Sequence, residues 1–160
     1  MIRKAQKENF SAIGSNNVKA YLEFSKQLPD GAWPKMVENL TNIDQRAASS
    51  EFLVYDNGDK IVGSVAYCPA GNGDAAIFDA NTASILLLAV DPAHRGQGIA
   101  NTLTQACVDR AILDGAEKIG LFTSELMVSA QNLYRKLGFK ITFELPKRHG
   151  ISYFLFELGL

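Results

Sequence analysis

Apolar positions recur at two periods along this chain, and their alternation sets out an order of elements. In VKAYLEFSKQL the residues Val18, Tyr21, Leu22, Ser25 and Leu28 fall on one helical face, and Pro29 with Gly31 predicts the helix end. The turn PDGAWP places Trp33 between prolines, and from Lys35 the positions Met36, Val37, Leu40, Ile43 and Ala47 predict a second helix. A hairpin follows in EFLVYDNGDKIVGSVAYC, whose β-branched and aromatic runs flank DNGD, where Asn57 and Gly58 tolerate positive φ. After a glycine-rich stretch, SILLLAV reads as a strand buried on both faces, the centre of the sheet.

The second half repeats the alternation. Ile99, Leu103, Ala106, Cys107 and Leu113 share one side of a helix that Gly115 terminates. A strand (KIGLFTS) follows, then a helix with Ala130, Leu133, Tyr134 and Leu137 on one stripe, then strands KITFEL and SYFLFEL. The order α, α, β, β, β, α, β, α, β, β predicts an α/β fold with a mixed, mostly antiparallel sheet. One parallel pair is expected at the strand, helix, strand crossover, with helices flanking the sheet.

Composition narrows the class without changing this picture. The 160 residues suit one domain, and 47% hydrophobic with 21% charged residues excludes disordered, collagenous and disulfide-scaffold chains. A net charge of -1 speaks against a nucleic-acid binder. Cys68 and Cys107 lie in apolar company, which predicts buried free thiols rather than a metal site or disulfide framework. MIRKAQKENF has no signal-peptide run, and Ile85 to Val90 is far too short to span a bilayer, so the expected location is the cytoplasm, away from membranes.

The candidate chemistry sits in RGQGIA, Arg95 to Ala100. Gly96 and Gly98 allow a tight turn and close approach of a ligand, and the helix that starts there offers unsatisfied amides and a positive dipole end. A phosphate or pyrophosphate is the natural guest, and Arg95 can add a forked charge, although a plain helix-start loop would carry the same glycines. No Lys follows Gly98 to make a Walker loop, and GxGxA is not the dinucleotide GxGxxG.

LLLAVDPAHRGQGIANTL, with Arg95, Gly98 and Ala100 at the key spacing, resembles the acetyl-CoA signature of the GNAT family of N-acetyltransferases. AQNLYRKLGF, Ala130 to Phe139, is similar to that family's second hallmark. The two lie in the family's order and separation across residues 84 to 143. The resemblance implies the GNAT-like acyl-CoA N-acyltransferase fold, a single domain over 1–160, and acetyl-CoA as co-substrate without a metal. It implies a strand that splays at a bulge, with the main chain of Leu88, Ala89 and Val90 pairing with the pantetheine arm. The amides of Gly96, Gln97, Gly98, Ile99 and Ala100 would hold the pyrophosphate and Arg95 would neutralise it.

Tyr134 would be the general acid toward the departing thiolate, its alternative being a core aromatic. Ile85 to Val90 lacks the carboxylate that many members use as base, so Glu125, Asp79 or water are the candidates. Met127 stands where many members carry an Asn that touches CoA. Lys136 and Arg135 could reach a 3′-phosphate or be solvated charges. Trp33 could wall an acceptor pocket or simply pack. The loop Leu145 to Ile151, with Lys147, Arg148 and His149, could favour an acidic acceptor or protect an edge, and His94 and His149 read as surface residues. The expected acceptor is a primary amine on a small molecule or peptide. The other class of function is a non-catalytic acyl-CoA-binding regulatory module. Dimers are common in the family, so a homodimer is an open expectation.

Overall fold

The Glu51–Cys68 hairpin forms where the two β-rich runs place it. In the computed structural model, which describes residues 1–160, strand β2 (Glu51–Asp56) pairs antiparallel with β3 (Ile61–Cys68). The turn uses Gly58 at φ 100°, and Asn57 Oδ1 accepts the Asp59 and Lys60 amides at 3.0 Å each. The remaining elements are β1 (Ile2–Lys4), α1 (Phe10–Tyr21), α2 (Ala32–Thr41), α3 (Ile43–Ala47), β4 (Thr82–Val90), α4 (Ile99–Leu113), β5 (Lys118–Ser124), α5 (Val128–Lys136), β6 (Lys140–Arg148) and β7 (Ile151–Gly159). The seven strands run in the order β1-β2-β3-β4-β5-β7-β6; β1 with β2, β2 with β3, β5 with β7 and β7 with β6 are antiparallel, and β4 with β5 is parallel. The mixed α/β class is therefore the observed one. No helix is long and apolar enough to cross a membrane.

The chain divides into two compact units, Met1–Cys68 with Ile85–Cys107, and Pro69–Ser84 with Val108–Leu160. In the first, Ile13, Ile43, Phe52, Val54 and Ala66 form a buried cluster against which Phe10, Leu86 and Leu87 pack. Strand β1 was not expected; its three residues pair with Leu53–Tyr55. Helix α1 begins at Phe10, eight residues before the expected start at Val18, and the segment Leu22–Gln27 tightens to a 3-10 helix. Gly14, Asn16 and Asn17 are weak helix formers, but tertiary bonds override the propensity. Asn17 is fully buried, donates to the Leu40 carbonyl at 2.9 Å and accepts from the Ser64 hydroxyl at 3.3 Å. The expected second helix breaks at Asn42 (ψ 61°) into α2 and α3.

Helix α4 approaches β3 at Gly63. A Cβ there would lie 2.8 Å from Ile99 Cγ2 and 3.1 Å from Leu103 Cδ1, so only glycine leaves room for the start of the helix. The buried line follows Ile99, Leu103, Cys107 and Ala111 at every fourth residue; Leu113, expected on that face, lies off the line and is 83% exposed. Both cysteines are buried thiols, and burial, with Glu51 nearby, pushes Cys107 up to about 12.

In the second unit, β5 pairs with β7 along its length, Lys118↔Gly159 to Ser124↔Tyr153, and β7 pairs with β6. Phe78, from the glycine-rich stretch, packs on Gly73 and on Gly120, whose missing side chains leave space for its ring. The β4 ladder with β5 runs from Thr82↔Lys118 to Ser84↔Gly120. Leu86, Leu87 and Leu88 beyond it are half-buried, not enclosed on both faces as the apolar run suggested. Residues 145–151, expected as a loop, are the ends of β6 and β7 around a two-residue turn, His149 (φ 53°) and Gly150 (φ 74°).

The exit from β4 is held by Asp91, 3% exposed. Its Oδ1 accepts the Ala93 amide at 3.0 Å, and its Oδ2 lies 3.0 Å from Lys19 Nζ and 3.7 Å from Lys60 Nζ. The Ala93 amide first, then Lys19, hold the carboxyl below the usual carboxylate range against the opposing effect of desolvation.

Two outcomes follow from this packing. Gly63→Ala should lower the unfolding free energy by about 1–3 kcal/mol, read from urea denaturation. Because Asp91 titrates lower in the folded than in the unfolded chain, its contribution is present above about pH 4 and fades as pH falls through the folded-state value. Asp91→Asn should therefore flatten the acid limb of a plot of denaturation midpoint against pH, without a matching change in slope near neutrality.

Candidate active site

The first unit gathers Leu88, Ala89, Val90 and the run Arg95–Ala100 on one continuous stretch. Leu87 takes φ 55°, which costs a non-glycine residue energy and turns the strand direction within β4. The next two carbonyls accept from α1: Tyr21 donates its hydroxyl to Leu88 O at 3.0 Å, and Asn16 its amide to Ala89 O at 3.4 Å. A short 3-10 turn, Pro92–His94, then leads from Asp91 into the loop.

Gly96 (φ 79°) and Gly98 (φ 77°) are both left-handed, and a Cβ at either would meet nothing within 4 Å. Backbone conformation, rather than crowding, calls for glycine there. Gly96, Gln97 and Gly98 are exposed, Ala100 is half-buried, and Ile99 turns inward to the core. The first-turn amides of α4 have no acceptor within the helix, so open space, bare backbone and a positive helix end coincide. A diphosphate group fits this cradle, and no cluster of metal-ligating side chains accompanies it.

Arg95 is engaged with the stretch that ends α1 and follows it. Its Nη1 lies 2.7 Å from Glu23 Oε1, and its Nη2 donates to the Ala20 carbonyl at 3.0 Å. His94 is half-buried, with Nδ1 3.8 Å from Asp91 Oδ2, so it belongs to the Asp91 cluster rather than to open surface. Trp33 lies in the first turn of α2, half-buried, and not in the predicted turn, because the helix begins at Ala32 directly after left-handed Gly31.

The second unit carries Tyr134 on α5. Its position follows from the way that helix ends. Gly138 (φ 96°) directs its amide to Arg135 O at 3.0 Å, and the Phe139 amide reaches Tyr134 O at 3.0 Å. This is a Schellman closure, which brings the residue after the glycine onto the residue that accepts its bond. Phe139 and Phe156 each lie 5.9 Å from the Tyr134 ring, which is 5% exposed. Leu-Gly-Phe is thus a local device that packs Tyr134.

Around it, Gln131 is buried, donates to Ser124 O at 3.0 Å and accepts from Arg135 at 3.3 Å. Arg135 also lies 5.6 Å over the Phe156 ring, so it is engaged, whereas Lys136 is exposed near the helix end. Met127 starts α5 and accepts from the Thr123 hydroxyl through sulfur at 3.2 Å. Glu125 is exposed, and its Oε1 accepts the Ser152 amide at 3.4 Å. Asp79 is paired with Lys118 at 3.3 Å. Arg148 stacks 5.5 Å over Phe122 and 5.6 Å over Tyr153; His149 sits in the turn, and Lys147 is exposed.

Sequence reasoning missed Tyr21, Glu23, Asn16 and Lys19, whose partners are tertiary, and Gln131, which links α5 to the end of β5. Asp91 had a local signal: Asp before Pro, then an amide two residues on, is a capping pattern.

Comparison with known proteins agrees with this geometry. The sequence profile of the Acetyltransferase (GNAT) family matches residues 17–139. Human N-acetyltransferase 8B is 36% identical over 91 residues, 57% of this chain and 39% of that protein, so the chain spans well under two thirds of its length. Among solved structures, the fold matches PaiA N-acetyltransferase from Thermoplasma acidophilum in complex with coenzyme A, with a TM-score of 0.77, 16% identity, and coverage of 100% of this chain and 98% of that one. It also matches yncA from Salmonella typhimurium, solved with its cofactor acetyl-CoA, with a TM-score of 0.71, 21% identity, and coverage of 99% and 92%. A profile match over more than half of the residues means that the chain belongs to the acetyltransferase (GNAT) family.

Proposed function

We propose that residues 1–160 form one acetyl-CoA-dependent N-acetyltransferase domain, which moves an acetyl group to a primary amine of a small molecule or peptide by direct attack. The observation that carries this reading is the stretch from Leu87 to Ala100: a left-handed kink in β4, then two left-handed glycines in open space before a helix of 15 residues. Family membership supports it, as do the coenzyme-bound structures of the same fold.

Acetyl-CoA would supply the activated thioester. The chain's residues do the rest. The amides of Gly96, Gln97, Gly98, Ile99 and Ala100 bind the diphosphate. The main chain of Leu88, Ala89 and Val90 offers strand-like pairing to the pantetheine amides, and each carbonyl has a second lone pair beside the one that Tyr21 or Asn16 uses. Lys136 meets the 3′-phosphate. As the amine nitrogen bonds to the acyl carbon and the carbon–sulfur bond breaks, Tyr134 Oη gives its proton to sulfur. Glu125, Asp79 or water takes the proton from the amine. Trp33 walls the acceptor side from α2. Two buried thiols suit a reducing compartment such as the cytoplasm.

The test is thiol release from acetyl-CoA against a panel of amino acids, polyamines, aminoglycosides and peptide N-termini, together with calorimetry of CoA. Turnover on one acceptor supports the enzyme; binding with no turnover on any favours the non-catalytic acyl-CoA module. Tyr134→Phe should slow turnover by about 10² to 10⁴ while sparing CoA affinity, and unchanged thiol release would remove the acid role. Gly98→Ala should weaken CoA binding about tenfold, since a side chain in the left-handed region costs roughly 1–2 kcal/mol.

A further inference from the structure

Arg95 is the one charged residue in the Arg95–Ala100 loop, and its guanidinium meets the Ala20 carbonyl in the last turn of α1 and Glu23 in the 3-10 segment that follows it. Two more ties run from the same few residues: Lys19 to Asp91 at 3.0 Å and Tyr21 to the Leu88 carbonyl at 3.0 Å. The stretch Lys19–Glu23 therefore grips Leu88, Asp91 and Arg95, from the strand to the mouth of the loop. Glu23 and Arg95 side chains are 49% and 44% exposed, so solvent screens their attraction and their pairing adds little to global stability. What a guanidinium held at two nitrogens, one by Glu23 and one by the Ala20 carbonyl, does well in such a setting is fix direction.

We propose that Glu23 is a positioning residue for the pyrophosphate of CoA: by holding Arg95 against α1 it sets the orientation of the Gly96–Ala100 amides, and those amides, not the guanidinium, carry the anion. The proposal rests on the reading of this loop as a CoA site. It has a rival with the opposite sign. If Arg95 swings to the pyrophosphate when CoA arrives, Glu23 is a competitor for the guanidinium, and neutralising it would strengthen binding.

The experiment titrates CoA by calorimetry into the wild-type chain, Glu23→Gln, Arg95→Gln and the double variant, and follows hydrogen exchange of residues 96–100 without CoA. Glu23→Gln and Arg95→Gln should each weaken CoA about fivefold to tenfold, and the double variant should be no weaker than Arg95→Gln alone, as expected for two residues acting as one unit. Loop amides should exchange faster in both single variants, Glu23→Asp should recover part of the affinity, and KM for acetyl-CoA should rise by a larger factor than kcat falls. Tighter CoA binding by Glu23→Gln, or unchanged affinity and exchange, overturns the proposal while the CoA site stands. Failure of the wild-type chain to bind CoA overturns the acetyl-CoA reading and this proposal with it.

Discussion

Asp91 divides its two carboxylate oxygens between the backbone ahead of it and the helix beside it. Oδ1 caps the Ala93 amide and starts the turn at Pro92, and Oδ2 holds the ammonium of Lys19 on α1. A charge at 3% exposure is tolerable only with such partners, so the carboxylate and its neighbours constrain one another. From that fixed point β4 ends, the loop reverses through Gly96 and Gly98, and α4 sets out against Gly63. The glycine loop and the start of α4 follow on from this corner.

The same region shows how strain and support are distributed. Leu87 carries an unfavourable positive φ, and its side chain is packed against the buried cluster of Ile13, Ile43, Phe52, Val54 and Ala66. The carbonyls that follow it are engaged by Tyr21 and Asn16. A kinked strand leaves backbone groups without regular ladder partners, and polar side chains from α1 meet that need. This accounts for the buried Asn16 on α1, where helix propensity alone would place none.

On the other unit, the Tyr134 environment is built from local closure and ring packing. The Gly138 turn returns Phe139 onto Tyr134, and Phe156 from β7 adds the second ring. Gln131, one turn earlier, ties α5 to the end of β5 through the Ser124 carbonyl. The hydroxyl is thus carried on a ring whose position is set by contacts on two sides.

Much of this was written in short windows of sequence. The hairpin, β5 and the glycine ends of α4 and α5 follow from periodicity, turn chemistry and the freedom of glycine, all of which act over a few residues. The loop from Arg95 to Ala100 was legible for the same reason. The early start of α1, the break at Asn42, the exposure of Leu113 and the three-residue β1 were not legible, because each depends on which distant surface the element meets. Arg95 makes the difference plain. Its charge and place in the loop are sequence facts, and they suggested a phosphate ligand; its partners, Glu23 and the Ala20 carbonyl, lie more than seventy residues away in the chain. The sequence by itself determined the order of elements and the loop's backbone chemistry, while only the tertiary structure decided which way that guanidinium points, since hydrogen-bond partners across such a separation leave no periodic trace.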